Sequence, residues 1–73
     1  MNESKREKFV RLAENRTNKA LEIIRLIGNL SNRSVYEYTA EDVEKIFAAL
    51  EEEIVLAKRQ FTEIGKTDKF KLI

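Results

Sequence analysis

Basic residues near the two ends of the chain are the first candidates for chemistry, because clustered lysines and arginines attract the phosphates of nucleic acids. This group, called the basic pole below, consists of Lys5, Arg6, Lys8, Arg11, Lys58, Arg59, Lys66, Lys69 and Lys71. Four acidic residues, Glu3, Glu7, Glu63 and Asp68, dilute its charge. The pattern predicts only weak, salt-sensitive attraction to nucleic acid or anionic lipid, and it is also typical of solvated helix ends.

Two polar segments are further candidates. Residues 15–19 read Asn-Arg-Thr-Asn-Lys, a belt of mediocre helix formers that either a binding surface or plain solvent exposure would explain. Residues 31–38 bring Arg33 close to Tyr36 and Tyr38, a combination that can stack bases and bind phosphate. Four acidic residues follow within 37–44 and oppose a phosphate backbone, so the tyrosines are also interpreted as loop anchors.

The sequence offers little to an enzyme or to a metal. It contains neither histidine nor cysteine, which removes the usual zinc ligands and the usual pairs of nucleophile and base. Glu51, Glu52 and Glu53 are consecutive, and consecutive side chains of a helix point about 100° apart, so these carboxylates do not converge. We predict a non-enzymatic protein with no cofactor and no metal site.

The composition favours long helices, because 37% of the residues are charged and proline is absent. No apolar run reaches the roughly 18 residues that a membrane-spanning helix needs. The first residues lack the apolar centre of a signal peptide. We therefore expect a soluble, cytoplasmic protein without a membrane partner, and its 73 residues form one domain at most.

Two stretches of the chain share one apolar spacing, and each is interpreted as a helix. Both advance in steps of 4-3-4-3-4-3, which keeps one stripe of a helix facing a partner. The first seam consists of Phe9, Ala13, Arg16, Ala20, Ile23, Ile27 and Leu30, and the second of Val43, Phe47, Leu50, Ile54, Ala57, Phe61 and Ile64. Paired antiparallel, their residue numbers add up to 73 or 74, and small residues face large ones. The pattern predicts an all-α, coiled-coil-like antiparallel two-helix hairpin.

Capping patterns and glycines set the expected boundaries. Ser4 with Glu7, and Thr39 with Asp42, have the spacing of a capping box. The predicted boundaries are a helix at 4–30, a loop at 31–38, a helix at 39–64 and a tail at 65–73. Gly65 is expected to end the second helix, and Gly28 offers an earlier end to the first. The apolar tail residues Phe70, Leu72 and Ile73 either cover the open end of the hairpin or fray.

Apolar residues continue beyond the seams, over more surface than two helices alone can cover. In the predicted register, a flank made of Leu12, Lys19 and Leu26 lies opposite Gln60, Glu53 and Ile46. Each large apolar side chain left in water forgoes roughly 1.5–3 kcal/mol of burial. We predict dimerisation into a four-helix bundle, and the expected interface residues are Leu12, Leu26, Ile46, Ala49 and Leu56. A different protein as the partner, or a monomer with scattered exposed apolar side chains, stays open.

Charge is distributed unevenly along the chain. Residues 1–33 hold eight basic and four acidic residues, whereas residues 34–56 hold one basic and seven acidic residues. The hairpin therefore sets a basic helix against an acidic one. Arg16 is the one polar residue on either seam. It either fixes the register of the pairing or packs its stem while its guanidinium reaches Glu53.

Residues 15–54 carry a resemblance to known sequences. They read NRTNKALEIIRLIGNLSNRSVYEYTAEDVEKIFAALEEEI, and the segment SNRSVYEYT followed by EDVEKIF is the most distinctive part. This stretch resembles short bacterial proteins without an established activity, some of them carried on mobile elements. The resemblance implies a bacterial source and transfers no binding residue. From the wide apolar helical face, we expect a small non-enzymatic regulatory or accessory protein that acts through protein–protein contacts. The alternative is nucleic-acid association through the basic pole or through the polar belt at residues 15–19.

Overall fold

Two helices make up most of the chain. The computed structural model describes the backbone of residues 2–69 and the side chains of residues 2–62. Helix α1 covers Lys5–Gly28, a 3₁₀ turn covers Asn29–Ser31, and α2 covers Ala40–Lys69. Strands are absent from the described part, so the prediction of an all-α protein with two helices is confirmed. The hairpin pairing, the four-helix bundle and the single domain stay predictions.

The helices belong to two separate units, one covering Met1–Glu37 and the other Tyr38–Ile73. In the first unit, the predicted capping box starts α1. The Glu7 backbone N–H donates to Ser4 Oγ at 3.0 Å, and the Ser4 backbone N–H donates to Glu7 Oε1 at 2.9 Å. Two backbone donors that α1 leaves without intrahelical partners are thereby satisfied.

The end of α1 differs slightly from the prediction. The α-helical part stops at Gly28, and the 3₁₀ turn carries the helical path on to Ser31, one residue past the predicted end. Gly28 has φ −60° and ψ −31°, which is ordinary right-handed helix. The left-handed conformation that usually makes glycine a helix stop is therefore not used here. The helix ends by tightening its last turn, which satisfies orphan carbonyls locally.

Asn32 organises the segment that follows the 3₁₀ turn. Its side-chain Oδ1 accepts from the Ser34 backbone N–H at 3.0 Å and from Ser34 Oγ at 2.6 Å. Its carbonyl accepts from the backbone N–H groups of Val35 and Tyr36 at 3.1 and 3.0 Å. An asparagine that bonds two residues ahead stabilises a turn in place of helix. The predicted loop is therefore a defined turn followed by residues 36–39, which have no regular secondary structure.

In the second unit, the predicted start of α2 is confirmed. The Asp42 backbone N–H donates to Thr39 Oγ1 at 3.1 Å, and the Thr39 backbone N–H donates to Asp42 Oδ2 at 2.9 Å. Tyr38 and Val43, which flank this box, are both half-buried. Their spacing is that of a hydrophobic staple, which fixes the angle at which the chain enters a helix.

The end of α2 is not where the sequence pattern put it. The helix continues through Gly65 to Lys69, five residues beyond the predicted end at Ile64. Glycine in a helix costs about 1 kcal/mol relative to alanine, which weakens a helix without breaking it. Within the described backbone, glycine nowhere takes a positive φ. The prediction that Phe70, Leu72 and Ile73 cover the hairpin end lies outside the described residues.

Candidate functional site

Large apolar side chains are exposed along both helices. Among the residues whose side chains are described, none is buried. The exposed large apolar residues of the helices and the 3₁₀ turn are Phe9, Leu21, Ile23, Ile24, Leu26, Leu30, Ile46, Phe47, Ile54, Val55, Leu56 and Phe61. Isolated exposed leucines are normal on proteins, but many large exposed apolar side chains on one element are typical of an interaction surface.

The residues of the predicted interface are divided between the two units. On α1, Leu12 is half-buried and Leu26 is 57% exposed. On α2, Ile46 is 38% exposed, Leu56 is 42% exposed, and Ala49 is exposed as well. All five therefore retain surface that a partner can cover. That they form one interface is a prediction that the two units do not test.

Exposed apolar side chains are not confined to the five residues of the predicted interface. Among the large apolar residues whose side chains are described, Phe61, which was assigned to the seam, is the most exposed at 70%. Val55 and Leu21 are exposed as well, although neither belongs to the seams or to the predicted interface. Both lie beside a seam, where a surface helix normally places polar residues. Exposed apolar surface therefore extends beyond the five residues, and the interface itself stays a prediction.

One basic residue of the predicted nucleic-acid surface is engaged within its own unit. Arg11 donates from Nε to Glu3 Oε2 at 2.8 Å and from Nη2 to Glu3 Oε1 at 2.9 Å. This two-pronged geometry is the favoured one for an arginine and a carboxylate. The Arg11 guanidinium holds the pKa of Glu3 below its usual value, and the Glu3 carboxylate raises the pKa of Arg11. A phosphate that binds Arg11 has to compete with the Glu3 carboxylate, and the role of Arg11 in nucleic-acid binding stays a prediction.

The other predicted basic residues differ in setting. Lys5, Arg6 and Lys8 lie in the first turn of α1, where positive charge opposes the helix dipole. The Arg6 guanidinium also lies over the Phe9 ring, 5.9 Å from its centroid. Arg33 lies in the turn that Asn32 organises.

The remaining part of the basic pole is on α2. Lys58 and Arg59 are exposed there, whereas the side chains of Lys66 and Lys69, and the whole of Lys71, lie outside the described residues. Lys58 and Arg59 belong to the second unit and Lys5, Arg6 and Lys8 to the first. That they form a single basic pole therefore stays a prediction.

The polar belt of α1 borders a shallow, open depression. Its lining residues are Ala13, Glu14, Asn15, Thr17 and Asn18. All of them come from one helix of the first unit. Clusters of three acidic residues able to hold a metal ion do not occur among the described residues. The belt residues are exposed, which fits both a binding surface and plain solvation.

Comparison with known proteins adds no independent assignment. No protein-family model, no curated protein and no solved structure matches the chain. Within the described residues, neither helix combines the length and the hydropathy that crossing a bilayer demands. The exposed apolar surface of the two helices is therefore the feature on which a functional argument has to rest.

Proposed function

We propose that this chain is a non-enzymatic interaction protein whose apolar helical face binds another polypeptide. The observation that supports the proposal is the exposure of large apolar side chains along α1 and α2 where the side chains are described. Large exposed apolar patches are rare on monomeric proteins, and they are common where an amphipathic helix docks onto a partner.

The energetics of helices point the same way. Helices draw most of their stability from packing an apolar face, because nucleation is costly and propensity alone is marginal. Full burial of a leucine or isoleucine is worth roughly 1.5–3 kcal/mol. Leu26 and Ile54 are each more than half exposed, at 57% and 52%, so a partner that covers them gains at least half of that per residue. A few such side chains supply an affinity of biological interest.

A photo-crosslinking experiment tests this proposal. A photoreactive amino acid replaces Ile46 on the apolar face in one full-length variant and Glu51, on a side of α2 about 140° away, in the matched control. We expect protein adducts at position 46 in living cells and few at position 51. The adducts at position 46 should be lost when Leu26→Lys is added. Equal adducts at both positions, or adducts with nucleic acid alone, would overturn the proposal.

Nucleic-acid association is the second candidate, and one observation favours it. Lys5, Arg6 and Lys8 stand at the positive end of the α1 dipole, where they weaken the helix, so stability does not explain their position. A salt titration of DNA and RNA binding decides the matter, because phosphate contacts lose affinity steeply with salt. Binding that is salt-sensitive and lost on reversing Lys58 and Arg59 would support this candidate. Absence of binding at about 50 mM salt would refute it.

A further inference from the structure

We infer that a second copy of this chain covers this apolar face, and that the two copies contact each other through the flank that contains Lys19 and Glu53. The inference rests on the proposed function and names the partner. The flank consists of Leu12, Lys19 and Leu26 on α1, and of Ile46, Glu53 and Gln60 on α2. Both triplets have a seven-residue spacing, which keeps their members on one side of a helix.

Charge complementarity is the first argument. Helix α1 holds seven basic and three acidic residues, whereas residues 40–56 of α2 hold one basic and six acidic residues. Two copies of α1 repel each other, and so do two copies of the acidic half of α2. A contact between α1 and α2 is attractive, and complementary charge is what selects one partner over another. Any polypeptide that matches both surfaces needs one basic and one acidic helix, and a second copy carries both.

The chemistry of the flank is the second argument. Each triplet has one charged residue at its centre, and the two central charges are opposite. In antiparallel contact, Lys19 meets Glu53 while Leu26 meets Ile46, so apolar and charged groups are matched together. Leu26 is 57% exposed and Ile46 is 38% exposed, so both still have area to bury. A surface with this internal match is self-complementary, which is what a two-fold symmetric dimer requires.

The predicted dimer has a specific charge pattern at its centre. Two copies contribute two Lys19 and two Glu53, which balance. In a Lys19→Glu dimer the centre carries four carboxylates, and in a Glu53→Lys dimer it carries four ammonium groups. A mixed dimer of the two variants again holds two of each sign. The attractive pairs of the mixed dimer form only where α1 of one chain contacts α2 of the other, because a contact within one chain keeps the two like charges of its own variant together. Recovery on mixing therefore reports the contact between chains.

Sedimentation velocity on the full chain tests the inference. We expect each single variant to weaken the dimer on the order of tenfold, and an equimolar mixture to return to within about threefold of the original dissociation constant. Glu51→Lys is the matched control, because it makes the same change about 160° away around α2 and should leave the dimer intact. High salt should narrow the difference between each single variant and the original chain.

Several results would overturn the inference. The inference fails if the original chain is a monomer, or if the single variants dimerise with the same dissociation constant as the original chain. It also fails if the mixture dimerises no more tightly than either variant alone, or if Glu51→Lys weakens the dimer as much as Glu53→Lys does. If a single variant loses helix content, the helical circular dichroism signal should return when the two variants are mixed, and its return reports the re-formed dimer. A monomer that still crosslinks to a different protein at position 46 would refute the second copy as partner and leave the proposed function standing. If position 46 gives no more crosslinks to protein than position 51, the proposed function is refuted.

Discussion

The start of α2 depends on one hydroxyl group, and replacing Thr39 by alanine measures its contribution. Thr39 Oγ1 accepts from the Asp42 backbone N–H at 3.1 Å, and the Thr39→Ala variant leaves that donor to water. Losing a threonine N-cap costs about 1 kcal/mol, within a range of about 0.5–2 kcal/mol. For a chain of this length, about 1 kcal/mol lowers the midpoint of thermal unfolding by roughly 4–8 °C.

Thr62→Ala is the matched control, because it removes the same atoms from the interior of the same helix. Thr62 Oγ1 donates to the Lys58 carbonyl at 3.2 Å, a bond that competes with the helix and does not cap it. Alanine is the better helix former, so this variant should match the original chain or gain a few tenths of a kcal/mol.

Far-UV circular dichroism during heating and in urea compares the Thr39 and Thr62 variants at equal chain concentration. The reasoning fails if Thr39→Ala melts within about 1 °C of the original chain. It also fails if Thr62→Ala loses as much stability as Thr39→Ala, because the effect would then not come from the cap.

Three further predictions concern the first unit. Gly28→Ala should raise stability to heat by about 0.5–1 kcal/mol, because the backbone there is ordinary helix and an added Cβ meets nothing within 4 Å; destabilisation would contradict this. The Ser4 backbone N–H, and after it the Ser4 hydroxyl, hold the pKa of Glu7 below its usual 4.5, so the ionised form stabilises the folded helix. That stabilisation is present above pH 4.5 and is lost as the pH falls through the lower pKa of the folded state. Because the glutamine of Glu7→Gln cannot titrate, this variant should lose less helix in acid than the original chain, as measured by circular dichroism. Asn32→Ala should speed hydrogen exchange at the Ser34 amide, whereas Asn32→Asp should preserve its protection.

Local features of this chain were predictable and the distant ones were not. Both capping boxes join residues three apart, so the sequence alone contains the whole interaction. The turn at Asn32 is equally local, because serine and asparagine side chains bond the nearby backbone and favour a turn over helix.

The end of α2 was missed because a glycine permits a left-handed stop without requiring one. Gly65 lies within the helix, which continues to Lys69. The seam residues were identified from their spacing, but spacing shows only that a stripe of side chains needs a partner. Which surface covers that stripe depends on contacts between distant segments or between chains, and an apolar period does not distinguish the two.

The molar mass of the purified chain tests most directly whether the apolar face binds a second copy. Light scattering measures this mass from about 1 to 100 μM, a range that brackets a micromolar dissociation constant. An apolar face that binds a second copy predicts a mass that rises with concentration to twice the 8.6 kDa of one chain. A mass that stays at 8.6 kDa throughout that range would contradict it.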